Sequence, residues 1–229
     1  MPRNSGVDLL IFDCDGVLVD SEDLACRAVA ETLAAVGHVV TEEEIAARFI
    51  GVSNRDMVAA LERERGEKLP ATFVADMNRC AAALFERELK PIAGVADVVP
   101  GLAPRCVASS TGPEMLARKL LWTGLAPWFG DAVFSAAAVP RGKPAPDLFL
   151  YAAGRMAAQP ARCIVIEDSV PGILAAKAAG TTAFGFIGGS HCRAGHGERL
   201  TAAGADLVFG DMRDLPRLAA QRKATFTTS

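Results

Sequence analysis

Six short apolar runs constrain this chain more than any other feature: VDLLIF (7–12), RCVASS (105–110), AVFSA (132–136), CIVIED (163–168), TAFGFIG (182–188) and ADLVF (205–209). Each is followed by turn residues and then by helical periodicity. Runs this short, with no polar face, fit strands buried on both sides, as in a parallel sheet. Strand alternating with helix predicts an α/β doubly wound fold. At 229 residues, the chain has room for one large domain or one domain with an insert.

The stretch between the first and second runs contains no convincing strand. Thr41 and Glu44 form a possible capping box before EIAARFI, and Ser53 with Asp56 marks a second helix start. A long amphipathic stretch covers 71–90 and stops at PIAG. A helical block of this length exceeds a crossover connection. It predicts a small all-helical cap domain over 20–90, inserted into a Rossmann-like core made of 1–19 and 91–229. The crossings near 17–20 and 90–94 are then its hinges. The tail RKATFTTS reads as frayed.

Composition removes several classes. A net charge of −3 gives no reason to expect nucleic acid or an anionic membrane as partner. No apolar run approaches the roughly 18 residues that span a bilayer. The opening MPRNSGVD holds no signal-peptide core. Six cysteines are scattered without a CxxC pair, mostly within apolar runs, and read as reduced core residues of a cytoplasmic protein. A monomer is the default expectation.

The polar residues gather where the strands end. Asp13 closes the first run and Asp15 follows in the loop. Ser109, Ser110 and Thr111 close the second, and Glu167 and Asp168 close the fourth. Lys143 lies in GKPAPD, before a helix. Ligands of doubly wound sheets bind at the carboxyl ends of strands, so these groups could converge on one crevice. Carboxylates placed together raise one another's pKa unless positive charge sits among them. Oxygen ligands in small number suit Mg²⁺, which shares a substrate phosphate. Ser109 and the backbone N–H groups of the next helix start can receive phosphate oxygens, with Thr111 and Glu114 capping that helix. The set describes a phosphate site with a metal.

The motifs FDCDGVLVDSE, VASST, GKPAPD and VIEDSVPGI, in that order and with the helical insert between the first two, resemble those of the haloacid dehalogenase superfamily. The branch they most resemble contains β-phosphoglucomutase and sugar-phosphate phosphatases. The resemblance implies that Asp13 is the nucleophile that forms an aspartyl-phosphate. Asp15 is then the general acid and base, its carbonyl also binding Mg²⁺. Ser109 holds a phosphate oxygen and Lys143 neutralises charge. Asp168 holds the metal, with Glu167 binding it directly, through water, or only shaping the field. Motif alignment favours Ser109 over Ser110 as the phosphate ligand. Asp15 argues against dehalogenation, which has no leaving oxygen to protonate.

The resemblance leaves the acceptor open. The mutases hold a second phosphate with basic cap residues around a GxS segment. Here the segment is GVSNRD, the matching position is Asn54, and Phe49-Ile50 replaces an expected lysine. This favours a phosphatase acting on a small sugar or sugar-acid phosphate. A phosphomutase is the first alternative and a non-catalytic sugar-phosphate-binding module the second. Phe49, Asn54 and Arg55 are the candidate specificity positions. Asp20 suits hinge bonding or catalysis equally. Cys14, between the two aspartates, alternates away from them and reads as core. IGGSHCRAGHGERL, with His191, Cys192 and His196, reads as a Gly-rich loop at the crevice rim whose spacing fits no common zinc pattern.

Overall fold

The computed structural model describes residues 7–50 and 52–225. The opening MPRNSG, Gly51 of the GVSN segment and the last four residues of the RKATFTTS tail lie outside the described residues. Six strands form the sheet: β1 (Leu9–Phe12), β2 (Arg105–Ser109), β3 (Val133–Ser135), β4 (Cys163–Glu167), β5 (Thr182–Phe186) and β6 (Leu207–Phe209). Their order is β3-β2-β1-β4-β5-β6, and every neighbouring pair is parallel. The central strands β1, β4 and β5 are buried at every residue, which is why each reads as an unbroken apolar run.

Alternation sends successive side chains of each strand to opposite faces. Leu9 and Ile11 share one face with Cys106, Ala108, Cys163 and Val165. The covering helices include α8 (Asp147–Arg155) and α9 (Val170–Ala178), through Phe149, Ala152, Ile173 and Ala176. On the opposite face the Phe12 ring meets Phe129 edge-on, centroids 6.2 Å apart. The chain runs outward from β1 to β2 and β3, then returns to β4 on the other side of β1. The carboxyl ends of β1 and β4 therefore frame the switch point, where an open α/β sheet leaves a crevice.

The chain packs as two units, one running up to Asp20 and resuming at Lys90, the other covering Ser21–Leu89. The second unit holds four helices: α1 (Glu22–Ala35), α2 (Glu42–Phe49), α3 (Asn54–Arg65) and α4 (Phe73–Glu88). Their own core is built from Val29, Leu33, Ile45, Leu61, Phe73 and Met77, among others. Thr41 and Glu44 form the expected capping box at α2, and Ser53 Oγ accepts from Asp56 N at the start of α3. The first unit adds α5 (Val95–Val98), α6 (Pro113–Trp122), α7 (Ala126–Phe129), α10 (His196–Ala202) and α11 (Leu215–Thr225).

Two local expectations change. The cap of α6 is Gly112, with no side-chain bond from Thr111, because the Thr111 hydroxyl is committed elsewhere. The tail expected to fray from Arg222 continues α11 as far as Thr225. Among the described residues no helix is long and apolar enough to cross a membrane.

Candidate active site

The last ladder bond of β1 aims the first carboxylate. Asp13 N donates to Ile166 O at 3.0 Å, which sets Asp13 beside Glu167 at the end of β4. Lys143 Nζ lies between them, 2.6 Å from Asp13 Oδ1 and 2.6 Å from Glu167 Oε1, and also donates to Ala108 O at the end of β2. The three side chains are at most 9 % exposed, so each charge depends on the others. Burial opposes the charge of Lys143, yet Asp13 and Glu167 outweigh it and lift its pKa above the ordinary lysine range. Burial likewise holds Asp13 well above the usual carboxylate range, against the pull of Lys143 and with help from Glu167, Asp168 and Asp15.

Both oxygens of Glu167 are engaged. Its second oxygen, Oε2, accepts from both the backbone N and the hydroxyl of Ser169 at 2.8 Å, and Ser169 Oγ in turn caps α9 by accepting from Gly172 N. A Cβ at Gly172 would fall 1.9 Å from the Glu167 carboxyl carbon, so only glycine lets the first turn of α9 approach this closely.

Asp15 faces the end of β2. Its Oδ2 accepts from Thr111 Oγ1 at 2.6 Å, and its Oδ1 accepts from Lys119 Nζ. Lys119, on α6, is 5 % exposed. Neither partner emerged from sequence as an Asp15 ligand: Thr111 read as a helix cap, and Lys119 was not singled out. Ser109 is buried, with its Oγ accepting from Thr111 N at 3.0 Å, whereas Ser110 is exposed. Gly16, at φ +71°, turns the chain directly after Asp15, and a Cβ there would lie 2.0 Å from Asp168 Oδ2. Cys14 is fully buried, as expected of a core residue.

Asp13, Glu167 and Asp168 each place a carboxylate oxygen within 4.8 Å of the others, all three buried. An all-oxygen donor set of this kind suits a hard divalent cation, whose charge would restore the ionised form that burial disfavours at Asp13. The residues present therefore fit Mg²⁺.

The loop bearing His191, Cys192 and His196 joins the same site. His191 Nε2 lies 3.0 Å from Asp168 Oδ2. Burial opposes the His191 charge, but its bonds to Asp168 and Cys192 raise its pKa to about 10. His191, Cys192 and His196 each place a ring nitrogen or sulfur within 4.8 Å of the others, a proximity that spacing did not foresee. Burial also opposes ionisation of the Cys192 thiol, yet the two histidines bring it down to about 7. The ring nitrogens of His196 are both engaged, by Asp168 O and by Arg199. Asp20 holds the loop from the other side, its Oδ1 accepting from Ser190 N and Oγ at 3.0 and 2.8 Å.

Phe49, Asn54 and Arg55 belong to the helical unit. Asn54 and Arg55 open α3 on its exposed surface, and Phe49 ends α2 beneath the Arg48 guanidinium, 4.5 Å from the ring centroid.

Residues 7–180 match the haloacid dehalogenase-like hydrolase family. The chain is 32 % identical over 189 residues to 6-phosphogluconate phosphatase of Escherichia coli, covering 82 % of this chain and 86 % of that protein. It is 34 % identical over 181 residues to fructose-1-phosphate phosphatase of the same organism, covering 76 % and 93 %. A haloacid dehalogenase-like protein of unknown function from Agrobacterium tumefaciens superposes with a TM-score of 0.87 at 39 % identity, covering 95 % and 99 %.

Proposed function

The chain belongs to the haloacid dehalogenase-like hydrolase family, and from that premise we propose that it is a Mg²⁺-dependent phosphatase of small sugar or sugar-acid phosphates. One observation carries the reading: a buried Asp13 bonded to Lys143 at the switch point of the sheet, with Asp15 held two residues on. In this reading Asp13 attacks phosphorus, the bond to the leaving oxygen breaks, and Asp15 gives that oxygen its proton. Asp15 then takes a proton from water as the water attacks the aspartyl-phosphate and returns Asp13 free. Lys143 neutralises the nucleophile and the transferring group, which phosphoryl transfer needs more than covalent help. Ser109 holds a phosphate oxygen. Asp13, Asp168 and the Asp15 carbonyl are the ligands assigned to Mg²⁺, which when bound supplies charge neutralisation at the phosphoryl oxygens. Glu167 holds Lys143 through Oε1 and adds its charge to the carboxylate cluster at the metal site. The helical unit serves as the cap that selects the leaving group, with Phe49, Asn54 and Arg55 as its specificity positions.

Two of the relatives act, by name, on 6-phosphogluconate and fructose 1-phosphate, which supports a hydroxyl-rich monoester as the substrate class. The test is ³¹P NMR of the purified protein with a pool of such esters, with and without chelator. Inorganic phosphate that grows only with metal, and not with Asp13→Asn, supports the reading. A new ester without inorganic phosphate would make the chain a mutase instead, and unchanged peaks would overturn both. Asn54→Ala and Arg55→Ala are expected to alter relative rates across the pool; identical ratios would remove them as specificity positions.

A further inference from the structure

The reaction uses Asp168 but gives no task to the loop that grips it. The His191 side chain is 1 % exposed, and its Nε2 faces Asp168 Oδ2 at 3.0 Å. The imidazole lies in a slot walled by backbone: a Cβ at Gly189 would fall 2.7 Å from Nδ1, and one at Gly16 would fall 2.8 Å from Cε1. Among the described residues Nδ1 is buried without a hydrogen-bond partner. A native structure rarely leaves such an atom orphaned, and doing so costs stability. The ring is thus held in place for what its other nitrogen does.

His196 grips the same residue from behind. Its Nε2 is 2.6 Å from the backbone oxygen of Asp168, and its Nδ1 is 2.9 Å from Arg199 Nη2. A guanidinium can only donate, so Nδ1 accepts, and the hydrogen sits on Nε2 and is donated to the Asp168 carbonyl. The two rings meet edge to face, centroids 5.6 Å apart. His191 fixes the carboxylate and His196 fixes the peptide that carries it.

We propose that His191 and His196 are positioning residues, a two-point clamp that fixes the rotamer of Asp168 and presents its Oδ1 to a divalent cation. The inference rests on the reading of Asp168 as a metal ligand. Outer partners of metal-bound carboxylates set affinity in this way, and their loss weakens binding by about 10- to 100-fold. A bond from His191 to Oδ2 leaves Oδ1 as the oxygen with a fixed direction. Without it the carboxylate rotates, and ordering it again must be supplied by binding.

The test is calorimetric titration of Mn²⁺ and Mg²⁺ into chelator-stripped protein, with no substrate present. His191→Ala is expected to weaken both metals by about 10- to 100-fold. His191→Gln, whose amide N–H can replace the Nε2 donor, should recover most of that loss. His196→Ala should weaken binding less, because it frees the backbone rather than the carboxylate. A folded His191→Ala protein with the affinity of the parent would overturn the clamp, as would His191→Gln behaving like His191→Ala. Should His191→Ala not fold, ¹⁵N-histidine NMR of the parent decides the matter. The His191 Nε2–H resonance should shift and exchange more slowly on metal saturation, and an unmoved resonance would overturn the proposal. Asp168→Asn separates the two readings. If the parent binds metal and Asp168→Asn does not, failure at His191 removes the clamp alone. If the parent binds neither metal, the metal-dependent function falls and the clamp falls with it.

Discussion

The sheet end and the helical unit treat charge in opposite ways. At the sheet end, Asp13, Glu167, Asp168 and Lys143 are nearly sealed from solvent, and Lys143 bonds Asp13 from 130 residues away. In the helical unit, the pairs Arg48–Glu64 and Arg79–Asp76 lie on exposed faces. A surface pair gains little, because water serves either partner nearly as well. A buried cluster gains nothing over an apolar core and is severely penalised if one member is lost. Charge that is retained where it costs most is therefore being used, whereas charge at the surface keeps a helix soluble.

The contrast can be broken at four points. Asp13→Asn should lower kcat by at least about 10⁴-fold while leaving the fold intact, read from initial rates and far-UV circular dichroism. Measurable turnover near the parent rate would remove the nucleophile from the sheet end. Lys143→Met comes next, with kcat down about 10²- to 10³-fold. Because it strands Asp13 and Glu167 together, it should also lower unfolding stability by about 3 kcal/mol in urea titration. A loss of activity with no loss of stability would mean that the buried charges do not depend on one another. Lys119→Met removes one of the two grips on Asp15 and should lower kcat by about 10-fold with metal affinity unchanged; a parallel fall in metal affinity would place Lys119 in a different role. Arg48→Ala, at the opposite extreme, should move the thermal midpoint by no more than about 2 °C. A larger shift would mean that the helical unit also depends on its ion pairs.

The sheet was legible because each strand lies within one short, mostly apolar run, and β1, β4 and β5 are buried at every residue. Its margins were less legible. ADLVF suggested a strand from Ala205, but β6 starts at Leu207, since the Asp206 carboxylate turns back to accept from Ala183 N at 2.8 Å and from Lys177. In the site, Asp13, Asp15 and Asp168 stood out because carboxylates at strand ends are anomalous locally. Lys119 did not, because one lysine in the helical pattern PEMLARKLLW reads as a solvated face. Only its pairing with Asp15, 104 residues earlier, identifies it. Thr111 misled for the same reason: the cap pattern is local, and the competing partner is 96 residues away. His191 showed as a histidine in a loop, and nothing in its neighbours specifies Asp168.

The helical unit begins and ends at neighbouring residues. Asp20 N donates to Lys90 O at 3.0 Å, and Val19 bridges to Pro91. The departing and returning strands are thus already fastened to each other within the sheet-bearing unit. Closing a loop between fixed ends depends only logarithmically on its length, so doubling the insert would cost about 0.6 kcal/mol. A lineage can therefore lengthen, shorten or wholly replace what lies between residues 20 and 90 with little consequence for how the sheet assembles. On the proposed reading, the chemistry stays with the fastened part, and adaptation to new substrates proceeds in the part that is only looped through it.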